Sequence, residues 1–152
     1  MNLPPSNFRF DSVLCSPLKR CRATIGLIPD SNIPSISYMN ELSERNMGML
    51  EGVNKFKARE LYPSLFCGNK VDISASIPNG ESICDVQQRL KKIVDYIRAN
   101  QEKNILICSH NQTLKILYFS LNGIPITNDA WQCLNFPNGV LLDTSAIRPN
   151  QI

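Results

Sequence analysis

Asn104 to Leu117 reads NILICSHNQTLKIL, and it holds the only histidine of the chain, His110, where one pattern of apolar residues gives way to another. Ile105, Leu106, Ile107 and Cys108 form a short continuous apolar run, which suits a strand buried on both faces of a parallel sheet. Ser109 to Asn111 break the run. From Thr113 the apolar residues Leu114, Leu117, Tyr118 and Leu121 recur at helical spacing, and Gly123 falls where a helix stop is expected. The unit is strand, polar turn, helix. Ligands of open α/β sheets bind outside the carboxyl ends of the strands, where a helix N-terminus offers free N–H groups and a positive dipole end to an anion. Two readings of His110 fit this stretch taken alone: a ligand for a phosphate-type anion, and a solvated or capping histidine in an ordinary βα loop.

The same grammar recurs upstream. Asp11 to Cys15 (DSVLC) reads as a strand, and Ser16-Pro17 as an N-cap with proline at the first helical position, opening a helix through about Leu27. Residues 1 to 10 form an irregular lead-in, since Pro4 and Pro5 fit neither a helix nor a strand interior. Pro29 and Pro34 punctuate a loop, and Ser35 to Met39 is a further candidate strand. Glu41 to Gly52 reads as a loop with little regular structure, Asn54 to Leu61 as helix, and Tyr62 to Pro78 as loop. Residues 81 to 100 give the clearest helix, with Ile83, Val86, Leu90, Ile93, Val94 and Ile97 along one face. Pro78-Asn79-Gly80-Glu81 sets its start, with Glu81 near the positive end of the dipole. An irregular stretch from Pro125 to Pro137 and a last strand, Val140 to Asp143, complete the chain. The alternation predicts a three-layer α/β sandwich with a mostly parallel sheet.

A chain of 152 residues is expected to be one domain with a substantial core, and 43% apolar with 19% charged residues excludes disorder. The net charge of +3 comes without long Lys/Arg runs, which gives nucleic-acid binding no support. Six cysteines occur without a C-x-x-C pair, and with a single histidine they make a zinc site unexpected. They read as reduced, mostly buried thiols. The first residues, MNLPPSNFRF, lack the apolar core of a signal peptide, and no apolar run approaches the roughly 20 residues of a membrane span. A soluble, cytoplasmic protein without metal or cofactor is the expectation.

Four segments, in order, resemble the histidine phosphatase superfamily, also called the phosphoglycerate mutase-like family. SPLKRCRAT (Ser16 to Thr24) is similar to the family's S-x-L-x-R-A-x-x-T segment. LSERNMGMLEGVNK (Leu42 to Lys55) is similar to L-x-E-x-x-x-G-x-x-E-G, closest to the mutase form. PNGESICDVQQRL and ILICSHNQTLK are similar to its P-x-G-E-S-x-x-D helix and S-H-G strand end. The resemblance spans roughly residues 10 to 145, and it implies a phosphoglycerate mutase-like fold acting on a phosphorylated small molecule.

Residue by residue, the resemblance makes Arg20 a phosphate-binding arginine, its planar fork suited to two phosphate oxygens. Glu44 becomes the proton donor or base for the leaving oxygen or attacking water. His110 becomes the second histidine of the family, holding phosphate oxygens and stabilising transition-state charge. Asn111 stands beside it where the family has glycine; asparagine tolerates unusual backbone angles, but its side chain narrows the approach to phosphate. Arg45 and Lys55 match substrate-binding positions of the mutases, and Glu81 and Ser82 lie near the site in a second tier. Plain alternatives stand beside these: an exposed helix residue for Arg20, a loop carboxylate paired with Arg45 for Glu44, helix caps for Glu81 and Ser82, and solvated charges for Arg45 and Lys55. The short segment between Gly52 and Gly80, and Met47 where the mutases have tyrosine, favour phosphatase over mutase.

The family's mechanism runs through a phosphohistidine formed in an R-H-G motif, and this sequence has none. With one histidine assigned to the second position, the expectation is a protein inactive as given, a truncated single domain over residues 11 to 152 lacking the family's first strand and helix. An active phosphatase whose start lies upstream, and a non-catalytic phospho-ligand binding or interaction module, are the alternatives. Cys15 does not replace the nucleophile, because C-x4-R to Arg20 and C-x6-R to Arg22 both miss the C-x5-R spacing of cysteine phosphatases. In the family the R-H-G strand neighbours the strand ending at His110, so an open sheet edge is expected there. Three ways of filling it follow: a homo-oligomer or another chain at that edge, a rearranged strand order, or a longer gene product.

Overall fold

Side-chain alternation along one short strand sorts the helices to the two faces of the sheet. The computed structural model describes residues 8–29 and 32–134. In β1, Ser12–Cys15, Val13 and Cys15 pack with Cys21 and Ile25 of α1, Lys19–Ile25, while Leu14 packs on the opposite side with α3, Ile83–Arg98, and α4, Asn111–Asn122. The apolar run beside His110 is the strand β5, Ile105–Cys108, and its residues divide the same way: Ile105 and Ile107 toward α3 and α4, Leu106 and Cys108 toward α1. One helix layer therefore lies on each side of a sheet that is apolar on both faces. The three-layer α/β expectation holds.

The sheet is parallel, in the order β2-β1-β5, with β2 spanning Ile36–Tyr38. Its register pairs Val13 with Leu106 and Leu14 with Ile107, so residues of one face meet residues of the same face. The ladder continues one residue beyond the strands, where Ser16 N donates to the Cys108 carbonyl at 2.8 Å. That register brings Ser16 beside the turn that carries His110. Among the described residues no strand lies beyond β5, and all four β5 residues are half-buried.

Local signals place the helices. In α3, Val86, Leu90, Ile93, Val94 and Ile97 are buried as the spacing predicts. Its start is a capping box: Ser82 Oγ accepts from Asp85 N at 3.1 Å, and the Asp85 carboxylate accepts from Ser82 N at 2.8 Å. Ser82 is thus the cap, and Glu81 is not. In α4 the helix begins at Asn111, two residues before the periodicity suggests, and buries Thr113, Ile116 and Leu117 while Leu114 and Tyr118 stay half-buried. Gly123 ends it in the left-handed region, φ 63°.

Elsewhere the sequence reading is corrected in detail. The first helix is capped at Leu18 and ends at Ile25; Ser16 lies outside it. The 41–52 segment contains 3-10 turns at Asn40–Leu42 and Gly48–Leu50. After α2, Lys55–Leu61, the expected loop holds a 3-10 turn, Pro63–Leu65, and a minimal hairpin of β3, Phe66–Cys67, and β4, Lys70–Val71. A fifth helix, α5, Asn128–Cys133, replaces part of the irregular stretch expected from Pro125, while the last strand expected at Val140 to Asp143 lies outside the described residues. All six cysteines are free, but Cys67, Cys84 and Cys133 are exposed, so burial covers only Cys15 and Cys21 fully. Among the described residues no helix is long and apolar enough to cross a membrane.

Removing the cap of α3 tests how far local signals hold this layer. Ser82→Ala is expected to lower the unfolding free energy by about 1 kcal/mol, read as a shift of the urea midpoint without a change in slope.

Candidate functional site

Arginine has only donors, and that fact orders the site. His110 is the N-cap of α4 and 5% exposed, held at the end of β5 with its ring toward α1 residues. Arg20 Nε donates to His110 Nδ1 at 2.8 Å, so Nδ1 carries a lone pair and the neutral imidazole bears its hydrogen on Nε2. Nε2 in turn lies 2.8 Å from Ser16 Oγ, which therefore accepts, as it also does from Leu18 N at 3.3 Å. Ser16 is fully buried. Its serine-proline signal is met by a tertiary partner instead of a helix cap. Cys21 Sγ adds a contact 3.5 Å from Nε2.

Polarity excludes a serine nucleophile here, since His110 Nε2 donates to Ser16 and does not receive its proton. Burial, then the positive charge of Arg20, pushes the His110 pKa below the ordinary histidine range, against the pull of Glu44. Protonating Nδ1 would also set N–H against N–H. Burial likewise raises the Cys15 thiol and, with Cys21 and Cys15 beside it, pushes Cys108 up to about 12. They are inert thiols at neutral pH, and among the described residues no group of His, Cys, Asp or Glu could hold a metal ion.

Glu44 stands on the loop facing this turn. Its Oε1 accepts from Arg45 N at 2.9 Å, Thr113 Oγ1 at 3.2 Å and Thr113 N at 3.3 Å, while no described donor reaches Oε2. Thr113 Oγ1 also bonds the Ser43 carbonyl at 2.8 Å, and Ser109 Oγ the Leu42 carbonyl at 2.7 Å. The loop is therefore laced to both sides of His110. Thr113 and Ser109 have no separate sequence signal; they follow His110 and the strand end in the same motif.

Arg20 and Glu44 line an open cleft of about 710 Å³, together with Arg45, Met47, Gly52 and Lys55. No described protein group takes the two Nη nitrogens of Arg20. Arg45 differs from a solvated surface charge: it is 3% exposed, its Nε donates to the Glu81 carbonyl at 2.8 Å, and its Nη2 is buried without a partner. Burial lowers its pKa against the attraction of Glu81, Asp85 and Glu44. Lys55 is exposed at the start of α2.

The remaining candidates are occupied or ordinary. The Glu81 carboxylate receives Arg89 Nε at 2.7 Å on Oε1, and Arg89 Nη2 at 3.1 Å with Asn46 N at 2.9 Å on Oε2. Burial pushes its pKa up, but these donors outweigh it and hold the carboxyl below its usual range. Ser82 serves as the helix cap. Asn111 is exposed and helical, and the only described non-glycine residue with positive φ is Asn79, so the turn after His110 makes no use of asparagine's backbone tolerance.

His110 offers a direct measurement because it is the only histidine. Its ring nitrogens are expected to show the Nε2–H tautomer and a titration midpoint below about 6.5, read by long-range proton–nitrogen NMR. Between those two values the unfolded chain binds more protons than the folded one, so this residue's contribution to stability is complete above about 6.5 and is lost as pH falls toward the folded midpoint. An Nδ1–H tautomer or a raised midpoint overturns the Arg20 assignment.

A family model described as histidine phosphatase superfamily (branch 1) matches residues 5–141. The chain is 31% identical over 126 residues to a 2,3-bisphosphoglycerate-dependent phosphoglycerate mutase of Cytophaga hutchinsonii, covering 77% of this chain and 58% of that one. It is also 31% identical over 116 residues to a broad-specificity phosphatase of Saccharomyces cerevisiae, covering 71% and 47%. Among solved structures, the alpha-ribazole phosphatase of Shigella flexneri is similar with a TM-score of 0.58 at 27% identity, covering 83% of this chain and 63% of that chain. Bacillus stearothermophilus YhfR shares the fold with a TM-score of 0.71 at 22% identity, covering 88% and 66%. The chain spans about half the length of the curated relatives it matches.

Proposed function

The chain belongs to the histidine phosphatase superfamily, and from that membership we propose that Arg20, His110 and Glu44 form a site for the phosphoryl group of a phosphorylated small molecule. The observation that carries the reading is the Arg20 Nε to His110 Nδ1 bond, which leaves the Nη end of the guanidinium for an anion in the cleft. A guanidinium fork matches two phosphate oxygens. Glu44 Oε2, without a described protein donor, is the group for proton transfer to a leaving oxygen or from water. Arg45, whose Nη2 is buried behind the cleft without a partner among the described residues, and the exposed Lys55 extend the positive wall for the rest of the ligand. Asn111 flanks the phosphate approach from the first position of α4.

We propose further that this chain by itself forms no phosphohistidine. His110 is its single histidine, and it is set as a hydrogen-bond donor: Nε2 is protonated, and the lone pair of Nδ1 is covered by Arg20. Such a ring stabilises charge on a bound phosphate and does not attack phosphorus. The chain is then a phospho-ligand binding domain, with phosphatase chemistry requiring a second histidine from elsewhere.

Inorganic phosphate is expected to bind, read by 31P NMR, with Arg20→Ala and His110→Ala each weakening it at least about tenfold. Intact mass after incubation with a chromogenic aryl phosphate is expected to show no phosphoryl adduct. A stable adduct overturns the binding-only reading, and absence of binding at millimolar phosphate overturns the site.

The free edge of β5 supports pairing with a second copy, since its outer N–H and C=O groups have no strand partner among the described residues. Light scattering is expected to give a dimer mass, with amide exchange at Ile105 to Cys108 slowing as protein concentration rises. A monomer with those amides already protected contradicts this.

A further inference from the structure

We propose that Arg89 is a positioning residue that holds both ends of the loop carrying Glu44, and so sets where that carboxylate stands relative to His110; this rests on the phosphate-site reading. Arg89 lies on α3, near the end of the segment PNGESICDVQQRL and beyond its P-x-G-E-S-x-x-D positions, and its guanidinium is divided between two targets. Its Nε and Nη2 form a bidentate pair with Glu81, at 2.7 and 3.1 Å, and its Nη1 donates to the Glu41 carbonyl.

The loop from Glu41 to Asn46 is thereby held at its start directly and at its end through Glu81. Glu81 N donates to the Asn46 carbonyl at 2.8 Å, its Oε2 accepts from Asn46 N at 2.9 Å, and its carbonyl accepts from Arg45 Nε at 2.8 Å. Between these anchors lie Leu42, Ser43 and Glu44, which are the three residues bonded to Ser109 and Thr113 on either side of His110. Arg89 thus fixes the ends of the segment whose middle meets the histidine turn.

Close approach of the backbones leaves little room for an alternative. A Cβ on Gly48 would stand 2.3 Å from the Pro78 carbonyl oxygen, and one on Gly80 2.9 Å from the Asn46 carbonyl oxygen. The two loops meet backbone to backbone, so the carboxylate and guanidinium beside them bridge at a fixed distance. A lysine carries a single point of charge and cannot serve Glu81 and the Glu41 carbonyl with one planar fork. The groups whose charge acts on His110 are Arg20, Glu44 and Arg89, with the Cys21 thiol in contact. Arg89 therefore reaches the site by two routes, one through the loop and one through its field.

The test compares Arg89→Ala, Arg89→Lys and, as a control on the exposed face of the same helix, Lys91→Ala, which breaks only the ion pair with Asp95. Amide exchange, the His110 ring titration and binding of inorganic phosphate are measured on the full chain. Arg89→Ala is expected to speed exchange at Asn46 and Glu81 and to weaken phosphate binding, each by about tenfold, and to raise the His110 midpoint because a cation is removed. Arg89→Lys is expected to loosen the same amides while keeping the His110 midpoint near that of the parent, which separates the two routes. Lys91→Ala is expected to change none of these. Unchanged exchange at Asn46 and Glu81 in folded Arg89→Lys overturns the proposal, and that variant decides the matter alone if the alanine variant does not fold. Failure of the parent chain to bind phosphate refutes the ligand reading, while the exchange and titration measurements still decide the role of Arg89.

Discussion

A neutral imidazole donates from one nitrogen and accepts at the other, and at His110 the choice is imposed by Arg20, which can only donate. The remaining nitrogen then needs an acceptor, and Ser16 Oγ supplies it. These contacts join residues separated by 90 and 94 positions, so they exist only because β1 and β5 pair in one register. Cys15 opposite Cys108 is the last pair of that ladder, and the next residue on each strand leads into the site. A slip of one residue would turn Val13 and Leu106 to the wrong face and carry Ser16 away from the ring. The core and the site are thus specified by the same pairing.

What was legible in the sequence was local. The apolar run before His110, the heptad-like spacing of α3 and the stop at Gly123 each depend on neighbours a few residues apart, and the structure follows them. Ser16 was readable only as a cap, because Ser-Pro before a helix carries that signal and nothing nearby announces a histidine 94 residues on. Without the family resemblance, which made it a substrate-binding candidate, Arg45 reads as a surface charge for the same reason: arginines are seldom buried, and its burial comes from two loops meeting, which no window of sequence contains. Glu81 looked like a helix-start carboxylate, whereas its partner Arg89 stands eight residues along the same helix. The cysteines misled through composition: Cys67 and Cys133 lie on short elements, and Cys84 is exposed near the start of α3.

Docking of the two loops explains why so many polar groups near the cleft are already satisfied. Gly48 has φ +50° and no space for a side chain, and the Met49 N to Pro78 carbonyl bond at 3.1 Å closes the contact from the other side. Once the backbones touch, Asn46 and Glu81 exchange main-chain bonds and the Glu81 carboxylate is drawn to Arg89. Charge near the site is therefore divided into a satisfied outer network and a few groups with capacity left: the Nη end of Arg20, Oε2 of Glu44 and Nη2 of Arg45. The three residues line one cleft, with Arg45 Nη2 buried in its wall.

This division bears on how an anion is held. A phosphate that meets the Nη end of Arg20 need not displace Nε from His110, so the histidine can remain neutral and fixed while the arginine bridges it to the ligand. The bond from Arg20 to Nδ1 then does more than orient the ring. It withdraws the one lone pair that could attack phosphorus, and it keeps a proton from entering where it would oppose the guanidinium. A ring so held can lend its Nε2–H only by releasing Ser16, which has a second donor in Leu18 N to retain its place. On the proposed phosphate reading, the site is arranged for recognition by arginine first, with histidine as its support.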